Sequence, residues 1–407
     1  MSIFEAINEI IDIAEIGNYF GKKNVSVQSF GLGDNAINFV NQNKERYYAA
    51  ASKAFYDDSE ISSTYTFKKY QDLLINHFHQ FILDKKKISK ADAVTFCSAI
   101  KEEAPKTFSV LRDIHGIILE KTEEPLILGK YRIYNFQYHK GLIEARTKLK
   151  PELIWFNDEP NYLIEWDAKA RHFEKAIEIA DEQFERFELI LRYIIGNPTT
   201  RFEVGILNYQ GWRNRRAYIF SEDGHSFSSH SNHGSIEPIP LDNQYFRSEE
   251  AGHKYAWEIT SEVNLNKFQK RVVLAIEWIG QSIAEPSPQS AFLKAAIALE
   301  IIFTYSEKSI ITPSILNQIS EGTALILGEN VADRIELESK VKYLYSLRSA
   351  IVHSGNKNIS KEDHESMLFV ARSVIAKLLT SEKLREISSI EKLYELLKST
   401  KYSGSAI

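Results

Sequence analysis

The chain has 407 residues, enough for two or three domains and a sizeable core. Its single cysteine, Cys97, excludes an internal disulfide and fits a reducing cytosol. A net charge of −5 argues against a protein that coats nucleic acid non-specifically, so any RNA contact must be local, in a groove or a dimer seam.

The opening stretch MSIFEAINEIIDIAEIGNYF carries Glu and Asp among its apolar residues and no basic leader. It therefore reads as neither a signal peptide nor a membrane span, and no other uncharged run approaches spanning length. The expectation is a cytoplasmic chain with no membrane contact. Residues 1–110 read as a helical N-terminal region. Within it, Tyr70–Leu83 predicts one helix with Leu74, Phe78, Phe81 and Ile82 on a shared face, and Ser89-Lys90-Ala91-Asp92 resembles a helix cap. His77 and His79, two residues apart on a helix, point away from each other and read as surface or half-buried histidines, not metal ligands.

From 111 to 262 the periodicity changes to that of an α+β middle domain with a sensor-like place in the chain. Pro125–Tyr134 reads as two short strands around a glycine turn, and Tyr162–Ala168 as another strand. Ala170–Ile195 predicts a long amphipathic helix burying Phe173, Ala176, Ile177, Ala180, Phe184, Phe187 and Leu191, stopped by Gly196-Asn197-Pro198. Phe202–Leu207 and Ala217–Phe220 supply further strands. Trp212-Arg213-Asn214-Arg215-Arg216 combines three guanidiniums with an aromatic ring, the composition that grips single-stranded nucleic acid. That makes Arg213, Arg215 and Arg216 RNA-binding candidates, with an exposed basic hairpin turn as the competing reading. Asp223, His225, His230 and His233 form a loose cluster in a Ser/Gly-rich stretch. Nothing in HSFSSHSNHGS enforces three or four convergent ligands, so a solvated loop and no metal are expected.

The last third is helical. Lys267–Ala284 breaks at Glu285-Pro286-Ser287-Pro288, and Ser290–Tyr305 is apolar almost all round, the mark of a buried helix. Thr312, as cap, with Pro313 in the first turn starts the next helix, which ends at Leu327-Gly328. A helix from Ala332 to about His353 follows, then one over Glu362–Leu379 capped at Ser360, and a last one near Ser389–Leu397 before a flexible tail over 396–407.

The chemistry concentrates in LYSLRSAIVHSG, residues 344–355. Leu337, Val341, Leu344 and Ile351 share one helical stripe, and Arg348 sits inside it, four after Leu344 and three before Ile351. A guanidinium stays charged at every working pH, and burying it without a partner costs several kcal/mol. Glu300, among Leu293, Ala296, Ile297 and Phe303 on the buried helix, is its natural partner, because two isolated charges on apolar helices make most sense as one pair. His353 follows five positions later, about 140° round the helix, so the two side chains cannot share a face of an unbroken helix. Either the helix frays over Val352–Gly355, or the pair converges with copies from a second subunit. An arginine that holds phosphate and a histidine that moves protons near neutral pH suit phosphate chemistry.

Arg348, four residues, then His353 matches the Arg-x4-6-His signature of the HEPN superfamily, and LYSLRSAIVHSG with its upstream helices resembles the ApeA-like branch found in prokaryotic anti-phage proteins. The resemblance covers about 265–395 and implies an all-α helical bundle there. It implies metal-independent, cofactor-free endoribonuclease activity on tRNA or mRNA, a homodimer that apposes two motifs, and an abortive-infection toxin released by a phage-derived trigger. His353 would act as general acid or base at the ribose 2′-hydroxyl, and Arg348 would hold the scissile phosphate. Ser349 stands where many relatives carry Asn, Asp or His, and its hydroxyl can still bond substrate. His353-Ser354-Gly355 lacks the tyrosine of toxins silenced by a nucleotidyltransferase antitoxin. A non-catalytic HEPN module that binds RNA or a nucleotide and mediates dimerisation is the alternative.

Overall fold

The computed structural model describes residues 2–19, 25–120, 123–147, 161–196, 204–207, 215–221, 224–230, 238–262, 264–305, 314–354, 359–404 and 406–407. Over these the chain is mixed α/β, rich in helix, with small sheets and a C-terminal run of helices. No described helix is long and apolar enough to cross a membrane. The chain divides into two compact units, one of residues 1–110 with 167–181, the other of 111–166 with 182–407. The second unit thus holds residues on both sides of the boundary expected near 262.

In the first unit, Ile3–Ile13 forms a helix because Ser2 and Glu5 make a reciprocal cap, and because Ala6, Ile7, Ile10 and Ile11 fall on one buried face. Glu5, Glu9 and Asp12 occupy other positions of this amphipathic helix, and Glu15 lies beyond it in the strand that follows. Strands β1 (Glu15–Ile16), β2 (Val27–Phe30) and β3 (Ile37–Val40) build an antiparallel sheet in the order β1-β3-β2. The sequence reading missed it, since two to four residues are too few to display a period of two. The single helix expected over 70–83 is two helices, Phe67–His77 and His79–Leu83, separated at Phe78 (φ −97°, ψ 12°). Leu74, Phe78 and Ile82 are fully buried and Phe81 partly so. The break lets all four reach one core. The Ser89–Asp92 capping box forms as expected.

Strands β4 (Lys106–Asp113), β5 (Ile117–Ile118), β6 (Leu126–Leu128), β7 (Tyr131–Asn135) and β8 (Tyr162–Ala170) follow. Four of them make a sheet in the order β4-β8-β7-β6. β6 and β7 are the expected hairpin, turned at Gly129 with φ +58°. On the β7–β8 ladder Arg132 stands opposite Glu165. The carboxylate of Glu165 is fully buried and accepts from Arg132 Nε at 3.0 Å, from Arg146 Nε at 3.1 Å and from the Tyr134 hydroxyl. The long helix begins at Phe173 and ends at Ile195. Ala176, Ala180, Phe184, Phe187 and Leu191 are buried as expected, but Phe173 is 56% exposed and Ile177 37%. The first residue of the helix overhangs, and Ile177 lies on the flank of the stripe.

Of the strand expected over Phe202–Leu207, Phe202 and Glu203 lie outside the described residues; among the described residues 204–207 form no strand and make an isolated bridge between Gly205 and His115. β9 (Arg215–Ser221) contains the expected strand and pairs antiparallel with β10 (Gly224–His230), where a loop was expected. A serine-rich strand carries no hydrophobic alternation, so pattern reading passes over it. β11 (Ile239–Pro240) pairs in parallel with β5.

The C-terminal helices are Lys267–Ala284, Pro288–Phe303, Ile315–Leu327, Val331–Ser354, Lys361–Thr380, Glu382–Arg385 and Ile390–Ser403. Ser287 caps the second with Pro288 in its first turn, and Ser360 with Asp363 caps the fifth. The third is capped by Ser314, which accepts from the Asn317 amide, and not by Thr312, which with Pro313 lies outside the described residues. Helix continues to Ser403 where a flexible tail was expected, because Leu397 and Thr400 are buried and Gly404 ends it in the left-handed conformation.

Candidate functional site

Helix Val331–Ser354 packs against Ile315–Leu327 and also meets Pro288–Phe303, the helix that carries Glu300. Val341 and Leu344 are buried, which pins this helix and aims Arg348 at Glu300. Arg348 Nε lies 2.8 Å from Glu300 Oε1 and Nη2 donates to Oε2 at 3.3 Å. The Nε–H points off the line to Oε1, so that contact is an ion pair and not an aligned hydrogen bond. The side chains are 23% and 20% exposed. Val341 and Leu344 are buried while Leu337 and Ile351 are half-buried, so the cation is paired as expected but sits at the edge of the stripe and not inside it.

Tyr345 completes the arrangement. Its hydroxyl donates to Glu300 Oε1 at 3.1 Å, and its ring lies 5.5 Å from the Arg348 guanidinium carbon. Burial, with the Glu300 charge beside it, pushes the phenol up to about 12, so it stays a donor at every working pH. Sequence reasoning missed this residue. The available signal was its position three before Arg348, which puts the two on neighbouring faces of a helix. Nη1 of Arg348 bonds to no described residue.

His353 is exposed in the last turn of the same helix. Because helix runs unbroken through Ser354, the fraying alternative is corrected: Arg348 and His353 stay about 140° and roughly 7 Å of rise apart, on different faces of one protomer. Ser349 is half-buried, and its hydroxyl bonds to no other described residue. His364, the next histidine along, is occupied elsewhere. It is half-buried with Nε2 3.5 Å from Ser282 Oγ, and burial holds it below the usual imidazole value. Tyr343 donates to Asp363 at 3.1 Å and ties the motif helix to Lys361–Thr380.

Arg215 and Arg216 lie in strand β9 and not in a turn, while Arg213 falls outside the described residues. His225 and His230 lie in β10, and Asp223 and His233 fall outside the described residues. Among the described residues no three His, Cys, Asp or Glu side chains are grouped to hold a metal ion.

Comparison with protein-family models, with curated proteins and with solved structures finds no match.

The site as it stands can grip an anion with an oriented guanidinium and offer a solvent-accessible imidazole one and a half turns away. In one protomer those two groups do not converge.

Proposed function

We propose that the C-terminal helices carry an RNA-cleaving centre of the HEPN type, acting in a homodimer as an anti-phage effector. The observation that supports this reading is the Glu300–Tyr345–Arg348 assembly, a cation held in fixed orientation, on the same helix as an exposed histidine. A second copy would bring its own His353 to the phosphate gripped by Arg348. The imidazole takes the proton of the ribose 2′-hydroxyl, and the 2′-oxygen attacks phosphorus. The bond to the 5′-oxygen breaks, and that oxygen leaves with a proton that the imidazolium returns through solvent. Arg348 offsets the charge that gathers on the non-bridging oxygens. The products are a 2′,3′-cyclic phosphate and a free 5′-hydroxyl, formed without metal.

Purified protein incubated with total RNA in EDTA tests the reading. Cleavage with cyclic-phosphate ends, lost by about 10²–10⁴-fold in His353→Ala and in Arg348→Ala, is the expected result. RNA retention without cleavage in wild type would leave the non-catalytic binding module, which Ser349 favours.

A further inference from the structure

An open cleft of about 740 Å³ runs along β6, walled by Glu120, Glu123, Glu124 and Asp242 and floored by Leu126 and Ile127. It continues through Ile127 and Arg247 into a recess of about 230 Å³ against Trp257 and Glu258. The Asp242 carboxylate accepts from the Glu120 amide at 2.9 Å, and Arg247 Nη2 donates to the Asp242 carbonyl at 3.0 Å, so the wall is built and not loose. Among the described residues, four carboxylates and one guanidinium line the larger cleft, a surplus of negative charge.

β6 is the end strand of its sheet among the described residues. In a two-residue hairpin the positions flanking the loop, Leu128 and Tyr131, exchange hydrogen bonds, and so do Leu126 and Ile133. Ile127 is then the position whose backbone N–H and C=O point away from β7. Its side chain is 50% exposed while Leu126 and Leu128 are buried. An unpaired strand edge is a template for another strand, and natural proteins usually blunt it with charge or proline. Here Pro125 heads the strand, leaving Ile127 as the outward-facing position, and the charge lines the space beside the edge.

We propose that this cleft binds an extended basic peptide segment, which adds to β6 as a further strand. The peptide backbone bonds to Ile127, alternate side chains fall on one side of the added strand, and lysines or arginines among them meet Glu123 and Glu124. The complementary charge selects the partner and speeds its encounter. This proposal is independent of the ribonuclease reading.

The test is fluorescence anisotropy on the full chain with a labelled Lys-Val-Lys-Val-Lys peptide. Saturable binding is expected, weakened at least tenfold by Glu123→Lys/Glu124→Lys, by Ile127→Pro and by N-methylation of the peptide valines. Both glutamates are exposed, so the charge reversal leaves the fold intact. Ile127→Pro removes only a donor that faces outward. No saturable binding, equal binding by the charge-reversed variant, or equal binding of the N-methylated peptide would overturn the proposal. So would displacement by spermine as effective as that by unlabelled peptide, which would make the cleft a general polycation site.

Discussion

Arg348 and Glu300 meet from two different helices at 2.8 Å, and the same carboxylate takes the hydroxyl of Tyr345, whose ring lies beside the guanidinium. Removing the acid leaves a cation in apolar surroundings that were shaped around it. Each partner is about one-fifth exposed, so the loss lies between that of a surface pair and that of a fully buried one, about 2 kcal/mol. Chemical denaturation of Glu300→Ala should show it. Tyr345→Phe should cost about 1 kcal/mol, since one hydrogen bond is lost and the ring stays.

If the two motif residues serve each other only across a dimer, mixing inactive variants restores activity. Arg348→Ala and His353→Ala, co-refolded in equal amounts, would give heterodimers in which one of two composite sites is whole. Random association then predicts about a quarter of wild-type RNA cleavage. A site completed within one protomer predicts none. The geometry of the unbroken helix favours rescue.

Glu165 sets an acid limit on the second unit. Burial alone would raise its pKa, but the hydrogen bonds from Arg132 and Tyr134 and the charges of Arg132 and Arg146 outweigh that and hold it at about 2. A carboxylate depressed in the folded state contributes stability above the unfolded value, near 4.5, and loses it as the pH falls toward 2. The contribution is at most about 3 kcal/mol, less what water screens around the half-exposed Arg146. Thermal melting of wild type should weaken over that window, and Glu165→Gln should be destabilised at neutral pH with a flatter acid limb.

Two glycines separate close packing from backbone freedom. A Cβ on Gly280 would lie 2.3 Å from the Leu189 carbonyl oxygen, a backbone atom that cannot swing aside. Gly280→Ala should cost about 3 kcal/mol by forcing two helices apart. Gly141, inside helix Phe136–Thr147, has no atom within 4 Å of the place a methyl would take, and Gly141→Ala should stabilise by about 0.5–1 kcal/mol. Denaturant midpoints of the two variants should move in opposite directions.

Long helices and their ends were legible because their signals are local. Ser89 with Asp92 and Ser360 with Asp363 act within one turn, and each cap stands where the sequence reading put it, whereas the caps at Asn266 and Ser287 were not read from the sequence. The β6–β7 hairpin was legible for the same reason. The β1–β3 sheet and β10 were not, since strands this short or this polar form only when a partner offers its edge.

The sequence by itself determined that Arg348 needed an acid and that Glu300 was the acid available, because charge burial leaves few solutions. Tertiary structure alone decided that Tyr345 joins them, that the helix stays whole past His353, and that four carboxylates crowd one strand edge. Those depend on how helices cross and how distant loops meet, and no spacing within a single element encodes either.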